Sequence, residues 1–162
     1  MNTALRSLAA LSICGTLALA GCSGNTRKAE PASTNTQATL RGQLPYNPLA
    51  WRPITSSLDN HAGAASTLYG NDTAVVYARS TAGSAYPAGS VLALVTWAQR
   101  DDPHWFGAKI PGAPQTVEFV TVGSQPEYAV YRGSPLARTD VSSDQAAARI
   151  DNLTHQRAAV MP

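Results

Sequence analysis

The sequence predicts a single α+β domain, and three observations carry that prediction. Residues 90–98 and 115–122 place apolar side chains on alternate positions, as strands do. Asn71-Asp72 and Ser142-Ser143-Asp144-Gln145 are helix-start signals, each ahead of an alanine-containing run. The chain of 162 residues, 44% hydrophobic and 14% charged, is long enough for one core and too short for a multidomain enzyme.

The elements follow in order from about Leu44. Leu44-Pro45-Tyr46-Asn47-Pro48-Leu49-Ala50-Trp51 mixes prolines with apolar residues, so it is expected as an irregular opening segment anchored by Tyr46, Leu49 and Trp51. Residues 52–58 form a first strand, which Pro53 confines to an edge or a strand start, and 65–69 a second that ends at Gly70. In residues 74–79 the β-branched content favours a strand, while the Asn-Asp start and the alanines favour a helix. The helix is chosen.

After a turn-rich link at 83–89, residues 90–98 read as a central strand. Val91, Ala93, Val95 and Trp97 line one face, Leu92, Leu94 and Thr96 the other. A charged turn at 99–103 and an apolar loop at 105–114 lead into the strand at 115–122, with a further strand at 128–132. The final helix is expected over 146–158, with Ala147, Ile150, Leu153 and Thr154 near its buried face.

Ahead of the domain, Arg6 and the mainly apolar run 8–20 read as an export signal too short to span a bilayer. Leu19-Ala20-Gly21-Cys22 resembles the lipobox of bacterial lipoproteins, with small residues beside the cleavage point and a thiol to receive a diacylglyceryl group. That resemblance makes residues 1–21 a signal peptide and Cys22 the lipidated start of the mature chain, with the lipid bilayer as its partner. Ser23 rather than aspartate follows the cysteine, which implies the outer membrane, facing the periplasm. Residues 23–43 hold Leu40 as their only large apolar residue, too little apolar surface to offset ordering, and are expected as a flexible tether spanning roughly 25 Å.

Composition excludes much chemistry. Both cysteines, Cys14 and Cys22, lie in the first 22 residues, so the domain has no disulfide, thiolate cluster or cysteine nucleophile. Twelve Lys and Arg against ten Asp and Glu, scattered rather than clustered, argue against nucleic acid as a partner. There is no Gly-x-Ser-x-Gly elbow, phosphate loop or dinucleotide-binding glycine pattern, and no catalytic constellation is identified. His61, His104 and His155 share no ligand spacing, and Glu118 and Glu127 read as solvated carboxylates on the late strands. The aromatic residues Tyr69, Tyr77, Tyr86, Trp97, Trp105, Phe106 and Phe119 suit core packing first and a pocket wall second. The candidate pocket is placed at Trp97, His104, Trp105, Phe106 and Lys109.

Leu68-Tyr69-Gly70-Asn71-Asp72-Thr73-Ala74 and Tyr86-Pro87-Ala88-Gly89-Ser90-Val91-Leu92-Ala93-Leu94-Val95-Thr96-Trp97 resemble the cytochrome P460 family, over residues 51–132. The resemblance implies an antiparallel β-sheet with flanking helices, often as a homodimer. It also implies c-type haem bound through Cys-x-x-Cys-His and, in some members, a lysine cross-link to the haem. This chain departs from both. Asp151-Asn152-Leu153-Thr154-His155 keeps only the histidine of such a motif, and Arg79 stands where the cross-linking lysine is expected. The expectation is therefore a lipoprotein whose domain binds or docks without covalent haem. The alternative is an oxidoreductase or gas-binding protein that holds haem noncovalently on His104 or His155.

Overall fold

A computed structural model describes residues 35–80 and 83–158 of the chain. The expected signal peptide, Cys22 and the first part of the expected tether lie outside the described residues.

Six strands, β1 (Arg52–Asp59), β2 (Ala64–Gly70), β3 (Val91–Asp101), β4 (Lys109–Thr121), β5 (Glu127–Arg132) and β6 (Ala137–Thr139), form one sheet in sequence order. Every neighbouring pair is antiparallel. Helix α1 (Asp72–Arg79) joins β2 to β3, and α2 (Ser143–Thr154) follows β6. The predicted α+β class and antiparallel sheet are what the structure shows.

Alternation along the strands builds two cores. Leu68, Leu92 and Val120 point to the face covered by both helices, where they meet Ile54, Val75, Tyr77, Tyr86 and Leu153. Ala93, Val95, Trp97, Val117, Phe119 and Tyr131 point to the other face. β3 lies inside the sheet with both faces covered, as its sequence predicts.

What covers the second face differs from expectation. Residues 35–43, read as tether, lie on the sheet, with Ala38 and Leu40 packed against the second core together with Leu44 and Trp51. Asn35 Nδ2 donates to the Pro111 carbonyl at 2.6 Å, Trp97 Nε1 donates to the Ala38 carbonyl at 2.9 Å, and Leu136 N donates to the Arg41 carbonyl at 2.7 Å. Gly42 pairs with Leu136 so closely that a Cβ there would lie 2.2 Å from the Leu136 carbonyl oxygen, and its φ of 141° also favours glycine. The ordered domain thus includes Asn35, nine residues before Leu44. Composition alone misleads here because the segment is held by backbone hydrogen bonds and small side chains, not by large apolar ones. Within the opening segment Pro48 is buried and Trp51 half-buried, while Tyr46 and Leu49 are exposed. Tyr46 still stacks its ring 5.4 Å from Trp51 and 5.8 Å from Phe119.

α1 settles the conflict between composition and cap chemistry in favour of the cap. The Asn71 carboxamide oxygen accepts from Ala74 N at 3.0 Å and from Val91 N at 3.2 Å, while its Nδ2 donates to the Gly89 carbonyl at 2.8 Å. One side chain therefore starts the helix and ties it to the first residue of β3. Gly70 has no room for a side chain, since a Cβ would lie 2.8 Å from Ile54 Cδ1 and 2.9 Å from Ala74 Cβ. The Gly-Asn-Asp segment is a structural joint.

Boundaries move at the β3–β4 hairpin and at the end of α2. The expected loop at 105–114 shortens to 102–108, because β3 continues to Asp101 and β4 starts at Lys109, with these two opposite charges paired across the ladder. Pro111 and Pro114 are tolerated inside β4 because the β3–β4 register shifts on both sides of Trp97. α2 starts with the predicted capping box, Gln145 N donating to Ser142 Oγ and Ser142 N to Gln145 Oε1. It ends at Thr154, not 158, and Ala147 is exposed while Ile150 and Leu153 pack. Residues 156–158 turn back to α1 instead, where Ala158 N donates to the Ala78 carbonyl at 3.1 Å.

Candidate functional site

Of the five residues expected as a pocket, the structure separates one from the rest. Trp97 lies within the second core at 4% exposure. His104, Trp105 and Phe106 occupy the tip of the β3–β4 hairpin, and Lys109 sits at its base, bound to Asp101. Trp105 is 73% exposed and Phe106 fully so, and the depressions described below are lined by other residues. Three backbone N–H groups of the tip are bonded within it. Asp102 N donates to Ala108 O at 3.0 Å, Ala108 N to Trp105 O at 3.1 Å, and His104 N to the Asp102 carboxylate at 2.8 Å.

The three histidines stand on separate elements. His61 is in the β1–β2 turn, where its backbone N–H donates to the Asp59 carboxylate at 2.9 Å. His104 is on the hairpin tip and His155 caps α2, its Nδ1 2.7 Å from the Asp151 carbonyl. All three are exposed, and among the described residues no three His, Cys, Asp or Glu side chains gather as a metal site. Arg79, at the position considered for a cross-linking lysine, is exposed and reaches toward the Pro53 carbonyl.

An apolar concavity lies beside α1. It is an open depression of about 690 Å³, walled by Val76, Tyr77, Ala85 and Pro87, with Asp72, Thr73 and Ser80 at its polar edge. Tyr77 and Tyr86 stack at 4.5 Å. Arg157 lies 4.0 Å over the Tyr77 ring, donating to the Tyr77 hydroxyl at 2.6 Å, the Tyr77 carbonyl at 3.1 Å and the Gly83 carbonyl at 2.8 Å. Tyr86 in turn donates to the Gln156 carbonyl at 2.9 Å. The chain after α2 is thereby fastened to the wall of the depression, a long-range arrangement with no local sequence signal. The depression suits an apolar group.

A second cluster was missed by the sequence analysis. Glu118, read as solvated, is buried at 8% exposure under α2. Arg149 grips it with two hydrogen bonds, Nε to Oε2 at 2.7 Å and Nη2 to Oε1 at 2.9 Å, and the Tyr128 hydroxyl donates to Oε2 at 2.6 Å. The Glu118 hydrogen bond raises the Arg149 pKa. These three residues border a smaller depression of about 290 Å³ with Thr116, Val141 and Gln145. The carboxylate is saturated by its partners and pins α2 to the sheet.

Burial makes Tyr69, Tyr86 and Tyr128 weaker acids than a free phenol. Tyr86 is pushed up to about 12 by burial first, with Arg157 opposing and Tyr77 adding. Tyr128 is raised by burial and then by Glu118, and Tyr69 by burial. A phenol that keeps its proton in the fold and loses it when unfolded stabilises the fold fully below its unfolded pKa of about 10. That contribution falls as pH rises from 10 through 12. Urea unfolding at pH 9 and pH 11.5 is expected to show lower stability at the higher pH, with Tyr86→Phe reducing the difference. Equal stability at both would contradict the burial of these hydroxyls.

No curated protein matches the sequence. The model of one family, Cytochrome P460, matches residues 47–140, more than half of the chain and wider at both ends than the stretch where the resemblance was read. The match takes in all six strands and α1, with the Asn71 joint and the β3–β4 hairpin. On that match, the chain belongs to the cytochrome P460 family.

Proposed function

We propose that this chain is a lipid-anchored protein of the bacterial cell envelope, held through acylated Cys22 at the outer membrane and facing the periplasm. Its P460 domain serves as a binding or interaction module without covalent haem. The observation that carries the second half is the absence of any cysteine in residues 23–162. A c-type haem is held by thioether bonds from two thiols, with a histidine beside them as axial ligand. Here Asp151 and Thr154 stand at the thiol spacing ahead of His155, and neither side chain forms a thioether. The residues present do not fit covalent attachment. The apolar depression beside α1 offers no imidazole among its described lining residues. The Leu-Ala-Gly-Cys sequence at the end of the apolar leader supports the anchor, and among the described residues no helix is long and apolar enough to cross a membrane.

Protein purified from cells able to mature c-type cytochromes is expected to be colourless, with no haem retained after acid-acetone extraction. Retained haem would overturn the proposal. Tight, reversible binding of added hemin, with a Soret band that shifts on His104→Ala or His155→Ala, would put the noncovalent oxidoreductase or gas-binding reading ahead.

A further inference from the structure

The β3–β4 hairpin tip is unusual in this molecule. The other Trp and Phe side chains, Trp51, Trp97 and Phe119, are buried or half-buried, yet Trp105 and Phe106 stand side by side in solvent at 73% and full exposure. They sit at the end of two long strands whose last pair is the Asp101–Lys109 ion pair. We propose that this tip enters the headgroup and upper acyl region of the bilayer that holds Cys22, giving the domain a second membrane attachment. The proposal rests on the lipoprotein reading above.

Three features support a lipid surface over other partners. The first is chemical: Trp favours the membrane–water interface, where an apolar ring and a polar N–H are both accommodated, and Phe adds apolar area beside it. The second is the turn itself. The N–H groups of Asp102, His104 and Ala108 are bonded within the turn, so fewer backbone groups need water as the tip enters the headgroup region. The Lys109 charge is matched by Asp101 at the base.

The third is where the chain comes from. Asn35 is fastened to the Pro111 carbonyl at 2.6 Å, and its Oδ1 accepts from Arg100 Nη2 at 3.3 Å. Pro111 is two residues from Lys109, and Arg100 is next to Asp101. The leader therefore joins the domain at the base of this hairpin. Only twelve residues, 23–34, separate Cys22 from Asn35. Even fully extended, that span reaches about 45 Å, so the hairpin base beside Asn35 stays within about that distance of an acylated Cys22. Confinement raises the effective concentration of the tip at the lipid surface, which lets two aromatic side chains matter where alone they would bind weakly.

The test uses the acylated full-length protein in vesicles of phosphatidylethanolamine and phosphatidylglycerol, with and without phosphatidylcholine brominated near the glycerol end of its acyl chains. The Trp105 signal is read as wild type minus Trp105→Phe. Strong quenching of that signal by the brominated lipid, with acrylamide quenching severalfold below that of N-acetyltryptophanamide in the same buffer, is the expected result. Vesicle-bound, acyl-labelled protein whose Trp105 is untouched by bromine and open to acrylamide overturns the proposal. Shielding from acrylamide without bromine quenching also overturns it, since a protein partner or a second copy then covers the tip. Protein with no acyl label at all removes the underlying reading, and the second attachment with it.

Discussion

Replacing Trp97 with alanine is expected to lower folding free energy by about 3 to 5 kcal/mol, the largest loss of any single substitution considered for this domain. The side chain is 4% exposed in the second core, beside Ala93, Val95 and Val117. The bulged register around it leaves no regular ladder to collapse inward. Its indole N–H also holds the Ala38 carbonyl, so the cavity comes with the loss of a tie to residues 35–43. Trp97→Phe separates the two effects, because it keeps most of the ring and removes the hydrogen bond, at a cost nearer 1 kcal/mol. Urea titrations of both variants measure the difference. A loss for Trp97→Ala no greater than that for Trp97→Phe would mean that the indole does not fill the core.

Arg149→Ala comes next, with an expected loss of about 3 kcal/mol. The value lies at the lower end for broken buried pairs because the Arg149 side chain is 37% exposed and that of Glu118 only 10%. The penalty arises at Glu118, whose carboxylate would keep one short hydrogen bond from Tyr128 and lose both from the guanidinium. The same reasoning orders the rescue. Glu118→Gln made together with Arg149→Ala should be more stable than Arg149→Ala alone, since the stranded charge is gone. A double variant that is less stable than the single one would show that the loss comes from packing of the arginine stem and not from the charge.

These two residues also show where sequence reasoning reached and where it stopped. Trp97 was placed correctly on β3 because period-two alternation is a local property, written in Val91, Ala93 and Val95 beside it. The start of α1 was equally local, carried by Asn71 three residues before the N–H it caps. Glu118 was misread because its partners lie 10 and 31 residues away, on a different strand and a different helix. A carboxylate between Val117 and Phe119 carries no mark of what will face it. The proposed pocket failed to assemble for a related reason. Trp97 and Trp105 are eight residues apart in a hairpin, which puts one in the core and the other at the far tip. The start of the domain was set too late because Asn35 and Ala38 act through hydrogen bonds with Pro111 and Trp97, more than fifty residues on.

The segment at 35–43 also decides how the domain meets mechanical load. If the protein hangs from an anchor at Cys22, tension enters at Asn35 and reaches the sheet through contacts arranged in sequence: Asn35 with Pro111 and Arg100, Ala38 with Trp97, then Arg41 and Gly42 with Leu136. Pulled away from the sheet, these contacts load in order from Asn35. A pull that lifts the segment off the sheet therefore peels it from Trp97 first, while Tyr46 still lies against Phe119 and the ladder from β1 to β6 is closed.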